Sequence, residues 1–202
     1  MYSIRKDELK HDKVNGEHGR MRRKAQNRIE YRENTMPTHK VNLDALIRRE
    51  DFEPSNVSVE AGSNNLIFKL EELSRNRNYY SQLRKPDFQR TTDNWSPEMV
   101  ADFVKSFLDY ELIPSIILWH SPSGDVFIID GAHRISALIA WVNNDYGNGE
   151  ISRKFFGYDI PEPQKKLDKK TRELIESEIG GFAQLLDFAL NPEKTDDRSH
   201  CQ

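Results

Sequence analysis

The chain has one cysteine among 202 residues, Cys201, next to its end. A lone thiol excludes an internal disulfide and every metal site built on paired cysteines, and it fits a reducing compartment. Long apolar runs are missing too. No stretch approaches the ~18 residues of a membrane span, and the first residues lack the apolar centre of a secretion signal. The sequence therefore reads as cytoplasmic. Apolar residues make up only 36%, with a mean hydropathy of −0.80, so part of the chain is expected to lie outside any core. Neither sign of charge dominates. Thirty Lys+Arg face 33 Asp+Glu, a net charge of −3, and global charge gives no argument for a nucleic-acid partner. Walker A, nucleophile-elbow and zincin motifs are absent, and the six histidines show no metal-ligand spacing.

Residues 1–36 are the leanest part. Through residue 40 there are 11 Lys+Arg against 6 Asp+Glu, with a basic run from Arg20 to Arg32. They are expected to form a basic, partly disordered arm. Such an arm could meet nucleic acid, but a solvated tail is the commoner outcome for mixed-sign sequence. A folded domain is expected over 37–190 and a loose tail over 191–202. Val41 to Ile47 and Leu66 to Ser74 carry short helical patterns, with a turn at 61–65. Ser96-Pro97-Glu98 is a helix start: an N-cap, Pro in the first turn and an early acid. Pro114 ends that helix. Ser115 to His120 and Val126 to Ile129 read as two strands of a hairpin around Ser121-Pro122-Ser123-Gly124-Asp125. Their near-continuous apolarity predicts that both faces are covered. Further helices are expected from about Ala132 to Val142, from Pro163 to Ile179, and over Phe182 to Leu190.

Asp130-Gly131-Ala132-His133-Arg134 carries the most information. It joins the apolar strand Val126 to Ile129 to an apolar helix. A helix N-terminus has free N–H groups and the positive end of the helix dipole, so it attracts anions, phosphate above all. Asp130 and Gly131 are explained by a plain N-cap and a tight turn. His133 and Arg134 are not, because cations oppose the dipole unless an anion is present. Asp130 could cap the helix, orient Arg134 or hold a divalent ion.

A second element is Lys85-Pro86-Asp87-Phe88-Gln89-Arg90, an extended segment ahead of the Ser96 helix. Gln89 and Arg90 gain weight only by pairing with the first motif. Asp145-Tyr146-Gly147-Asn148-Gly149-Glu150 mixes carboxylates with glycines. It lacks the Asp-x-Asp spacing of a calcium loop, so an ordinary loop is the simpler reading and a Mg²⁺ or lid role the alternative. Trp95, Trp119 and Trp141 read as core or lid aromatics, with Trp95 the best candidate for base stacking. His120 reads as a polar strand end.

Asp130 to Leu138 resembles the DGQHR/DGQQR signature of ParB-like domains in bacterial DNA-modification and restriction systems. These include DndB-like proteins and the N-terminal domain of GmrSD-type restriction enzymes. Phe88-Gln89-Arg90 followed by Trp95-Ser96 resembles the upstream element of the GmrSD-type domains, and Ile113-Pro114 with Ile116-Ile117-Leu118 resembles the strand start between the two. The resemblance covers roughly residues 80–142. It implies the ParB/sulfiredoxin-like fold, an α/β (α+β) domain with a small mixed sheet flanked by helices. Two departures stand out. Ala132 replaces both the usual Gln and the reactive cysteine of sulfiredoxin, so sulfinic-acid reduction is not expected. The 202 residues also hold no His-Asn-His nuclease segment.

The resulting expectation is a nucleotide-binding ParB-like domain, an NTP phosphohydrolase with nuclease activity as a further option, in DNA metabolism or phage defence. The alternative is a non-catalytic DNA-binding regulator of DndB type. Arg90, Gly131 and Arg134 would bind phosphates. Asp130, His133 and Gln89 would carry the chemistry, His133 either as a phosphate-binding cation or as a general acid, and Asp130 would hold Mg²⁺. The partners implied are a nucleoside triphosphate, DNA and a protein of the same restriction or defence operon, with no membrane.

Overall fold

The structure is a computed structural model that describes residues 39–53 and 69–191. Residues 1–36, most of the expected tail and the expected turn at 61–65 lie outside the described residues. The fold is α+β. Four strands, β1 (Arg48–Glu50), β2 (Leu83–Pro86), β3 (Ile117–His120) and β4 (Val126–Asp130), form one mixed sheet in the order β1-β2-β4-β3. β1 and β2 pair in parallel, as do β2 and β4, and β3 closes an antiparallel hairpin on β4. Among the described residues there are six α-helices: α1 (Asn78–Gln82), α2 (Pro97–Leu108), α3 (Ala132–Asn143), α4 (Glu150–Phe156), α5 (Glu162–Glu178) and α6 (Phe182–Leu190).

α2 starts as its sequence predicts. The Ser96 hydroxyl accepts the Met99 N–H at 3.3 Å, and Pro97 sits in the first turn. Its buried Val100, Ala101 and Val104 face the core. α3 is the central helix. Ala132, Ile135 to Trp141 are all buried, so it is packed around most of its circumference. The core joins these two helices to Leu83, Val126 and Ile128 from the sheet. On the opposite side of β4, Phe127 packs edge-on against Phe52 at 5.3 Å, and Phe52 against Trp119 at 5.1 Å. None of the described helices is long and apolar enough to cross a membrane.

The structure corrects several expectations. β4 is buried over Val126 to Ile128, but β3 is a sheet edge and Ile117 is exposed. Apolar content alone did not reveal which strand of the hairpin had a neighbour on one side only. Val41 to Ile47 is not a helix: a single 3₁₀ turn over Asp44–Leu46 follows a bridge between Val41 and Trp95. Leu70–Leu73 is likewise one 3₁₀ turn. β1 and β2 were not anticipated as strands, since Arg48-Arg49-Glu50 and Leu83-Arg84-Lys85-Pro86 carry no apolar alternation.

Candidate functional site

β2 and β4 run parallel side by side, so their carboxyl ends open at one edge of the sheet, the usual place for ligands on α/β sheets. Gln89 and Arg90 lie just beyond the end of β2. β4 ends at Asp130, and the chain turns into α3 through Gly131. Gly131 has φ +93°, a left-handed conformation that glycine adopts without strain. A Cβ at this position would lie 2.9 Å from Ile116 Cγ1 and 3.2 Å from Arg134 Nη2. Both the angle and the space require glycine.

The first intrahelical bond of α3 runs from the Ile135 N–H to the Gly131 carbonyl at 2.9 Å, and no side chain caps the helix. The N–H groups of Ala132, His133 and Arg134 therefore have no partner within the helix. The N-cap reading of Asp130 does not hold, since Gly131 takes that position. Instead Arg134 Nη2 donates to Asp130 Oδ2 at 2.7 Å and to the Ser115 carbonyl at 3.0 Å. The carboxylate that makes a cation tolerable at this helix start is supplied by the chain itself.

Gln89, Arg90, Trp95 and the five residues Asp130 to Arg134 line one cleft of about 280 Å³. All six residues predicted from the sequence as site residues meet there. Gln89 Nε2 donates to the Ile128 and Ile129 carbonyls at 2.6 and 2.7 Å, which latches its loop onto β4. Two facing carbonyls fix which end of the amide is NH₂. Among the described residues, Gln89 Oε1 is thereby left buried with no partner. The same is true of His133 Nε2 and Arg134 Nε. Buried polar atoms are as a rule paired, and of the five unpaired ones among the described residues three belong to residues that line this cleft. Arg90 is exposed and makes no ion pair or hydrogen bond among the described residues.

His133 stacks on Trp95, with ring centroids 5.8 Å apart and planes at 26°, and Phe103 meets Trp95 edge-on at 5.4 Å. Trp95 is thus committed to walling His133. Burial, then the nearby Lys85 ammonium, holds the His133 imidazole below its ordinary value. Arg134 acts in the same direction, against Asp93 and Asp44. These influences favour the neutral form of the ring.

Behind the cleft lies a buried polar hub that sequence reasoning missed. Asp44 Oδ1 accepts from the Lys85 ammonium, from the Thr92 N–H at 3.0 Å, from the Thr92 hydroxyl at 3.4 Å and from Arg49 Nη2 at 3.3 Å. The Lys85 side chain is wholly buried. Burial opposes charge on both partners. At Asp44 the donors outweigh it and hold the carboxyl below its usual range, whereas at Lys85 burial wins and draws the ammonium below the usual lysine value. The only signal in the sequence was an acid inside the apolar run Val41 to Ile47.

The other candidates resolve into structure. Asp145 is fully buried and accepts from the N–H groups of Gly147, Gly149 and Ser152 and from the Ser152 hydroxyl, at 2.7 to 3.2 Å. It fixes the turn before α4 and does not reach the cleft. Trp141 is core and donates its ring N–H to the Gly180 carbonyl at 3.1 Å. His120 is exposed at the end of β3. Among the described residues, no group of three or more His, Cys, Asp or Glu side chains could hold a metal ion.

A family model of the GmrSD restriction endonuclease N-terminal domain matches residues 67–200, two thirds of the chain. The chain belongs to this family. No curated protein and no solved structure matches it. The matched span of this GmrSD N-terminal-type domain holds every cleft residue and both halves of the Lys85–Thr92 contact. Asp44 and Arg49 lie ahead of it.

Proposed function

We propose that the cleft binds the phosphates of a nucleoside triphosphate and hydrolyses the terminal one, within a restriction or phage-defence system that acts on DNA. The observation that carries this reading is the set of three buried, unpartnered polar atoms, Gln89 Oε1, His133 Nε2 and Arg134 Nε, around an uncapped helix start. The N–H groups of Ala132 to Arg134 donate to phosphate oxygens, the Arg134 guanidinium beside them adds its charge, and a small shift of that side chain brings Nε–H into the set. Arg90 supplies a free guanidinium at the rim and takes up charge that develops in phosphoryl transfer. At about 280 Å³ the cleft is at the small end for ligand sites, and it suits the phosphates with the nucleoside lying outside.

Gln89 Oε1 and His133 Nε2 can both accept hydrogen bonds when His133 carries its proton on Nδ1. A small shift of either side chain admits the attacking water between them, and the neutral imidazole takes its proton as the water oxygen bonds to phosphorus. The nucleoside diphosphate leaves with the electron pair of the broken P–O bond. Asp130 fits a Mg²⁺ ion. Its side chain is 62% exposed at the cleft and only Oδ2 is engaged by Arg134. Such an ion commonly takes one carboxylate together with phosphates and water, and it neutralises phosphate charge when bound. The family membership and the ParB/sulfiredoxin-like resemblance of the strand-to-helix motif support the same reading, as does the restriction setting in the family's name.

A thermal-shift panel of nucleoside triphosphates with Mg²⁺, with and without duplex DNA, tests the reading, because a ligand that binds the native state alone raises the melting temperature. The expected result is a rise with triphosphate and Mg²⁺, Mg²⁺-dependent phosphate release, and loss of both in Arg134→Ala. A rise with DNA alone, steeply weakened by salt, would favour a DNA-binding regulator instead. No response to any triphosphate and no turnover would sink the proposal.

A further inference from the structure

We propose that Arg49 is a positioning residue for the cleft: it sets the loop that carries Gln89 and Arg90, and the inference rests on the phosphate-binding reading for its consequence but not for its geometry. Arg49 stands on β1, one strand away from the cleft. Its Nη1 donates to the Gln89 carbonyl at 2.7 Å and faces the Asp87 and Pro86 carbonyls at 3.4 and 3.5 Å. Its Nη2 is held by the buried Asp44 carboxylate at 3.3 Å. Asp44 in turn binds the Thr92 N–H, on the far side of Arg90. The loop from Pro86 to Thr92 is therefore gripped near its start, at Gln89 and at Thr92 by one connected set of side chains, with Arg90 between the last two.

A planar guanidinium suits this task. It presents donors in a fixed fork, so one nitrogen can take the loop carbonyls while the other takes the carboxylate. A lysine could reach Asp44 or the carbonyls but has no fork to span them. Arg49 is also about a third exposed, 32% for its side chain, so it is not part of the apolar core. Its contacts go to loop carbonyls and one carboxylate, which fits guiding a loop better than filling a space. Arg49 precedes the segment matched to the family, so this grip reaches the cleft from outside the matched span.

The test uses the full chain, inorganic triphosphate as the probe, and the variants Arg49→Ala, Arg49→Lys and Gln89→Ala/Arg90→Ala. Arg49→Ala is expected to weaken triphosphate binding about tenfold, while the melting temperature without ligand falls by no more than about 5 °C. Arg49→Lys is expected to bind as weakly as Arg49→Ala. Added to Gln89→Ala/Arg90→Ala, Arg49→Ala should cost less than about twofold more, since the residues it positions are already gone. Binding unchanged by Arg49→Ala, full rescue by lysine, or an undiminished loss on the double-variant background would overturn the inference. A second readout needs no ligand. Amide hydrogen exchange over residues 87–92 should accelerate in Arg49→Ala while α3 stays protected. Unchanged exchange there overturns the inference even if triphosphate binds. Faster exchange with no triphosphate binding by the unaltered chain leaves the positioning intact and removes the phosphate reading.

Discussion

Asp130 and Arg134, one helical turn apart, close an ion pair over the uncapped start of α3, with Nη2 and Oδ2 at 2.7 Å. The pair is lopsided: the arginine side chain is 17% exposed and the aspartate 62%. The better-shielded partner is the arginine, and among the described residues its Nε–H has no acceptor. The exposed partner is the one that an incoming anion would meet first.

That asymmetry predicts two opposite effects. Without metal, Asp130→Asn should bind inorganic triphosphate more tightly, by about fivefold, because an exposed carboxylate is worth only about 1 kcal/mol but repels phosphate. With Mg²⁺ the advantage should vanish or reverse. Calorimetric titration with and without Mg²⁺ checks this. Weaker binding in the metal-free titration would mean that Asp130 chiefly holds Arg134 in place.

Gly131→Ala should be costly for two reasons that act together. The φ of +93° is strained for alanine, and the new methyl would press on Ile116 and the Arg134 guanidinium. A loss of about 1–3 kcal/mol in urea unfolding is expected from the backbone alone. Triphosphate binding should fall further than the stability loss explains, since Arg134 must move.

The depressed titration of His133 gives a pH dependence with a definite sign. Its folded-state value lies below the ordinary imidazole value, so the unfolded chain binds the extra proton first. Nothing is lost above pH of about 6.5, and stability declines as pH falls below that value toward the folded one. His133→Gln should flatten this part of the curve. Melting temperatures across pH 7.5 to 5.5, roughly the window of imidazole titration, make the comparison.

Breaking the hub should be worse than replacing it. Asp44→Ala strands the buried Lys85 ammonium and should cost about 3–5 kcal/mol. The paired replacement Asp44→Leu/Lys85→Met removes both charges and should recover much of that loss. Denaturant titration reads both. Recovery of stability without recovery of triphosphate binding is the expected pattern, because Thr92 and Arg49 still lack their carboxylate.

What could be read in advance followed how local its physics was. The start of α2 was legible from Ser96 and Pro97, since a cap and a fixed φ act within one turn. The hairpin was legible from its turn residues, but the exposure of β3 was not, because it depends on which strand lies beside it. β1 and β2 escaped notice because charged and polar residues on a short strand leave no periodic trace. Asp145 was weighed as a ligand-loop acid, and only folding revealed that four donors within seven residues of it consume its carboxylate.

The sequence by itself determined the strand, the glycine turn and the helix that carry Asp130 to Arg134, because chain geometry and the helix dipole dictate them within a few residues. Tertiary structure alone decided the rest of the cleft. It brought Gln89 across to β4 from 40 residues away, left three polar atoms buried and unpaired among the described residues, and drew the His133 imidazole below its ordinary value through burial and a lysine 48 positions earlier. It also set Arg49 behind the loop. Distances through space govern solvation and charge, and these depend on which strands come to lie side by side.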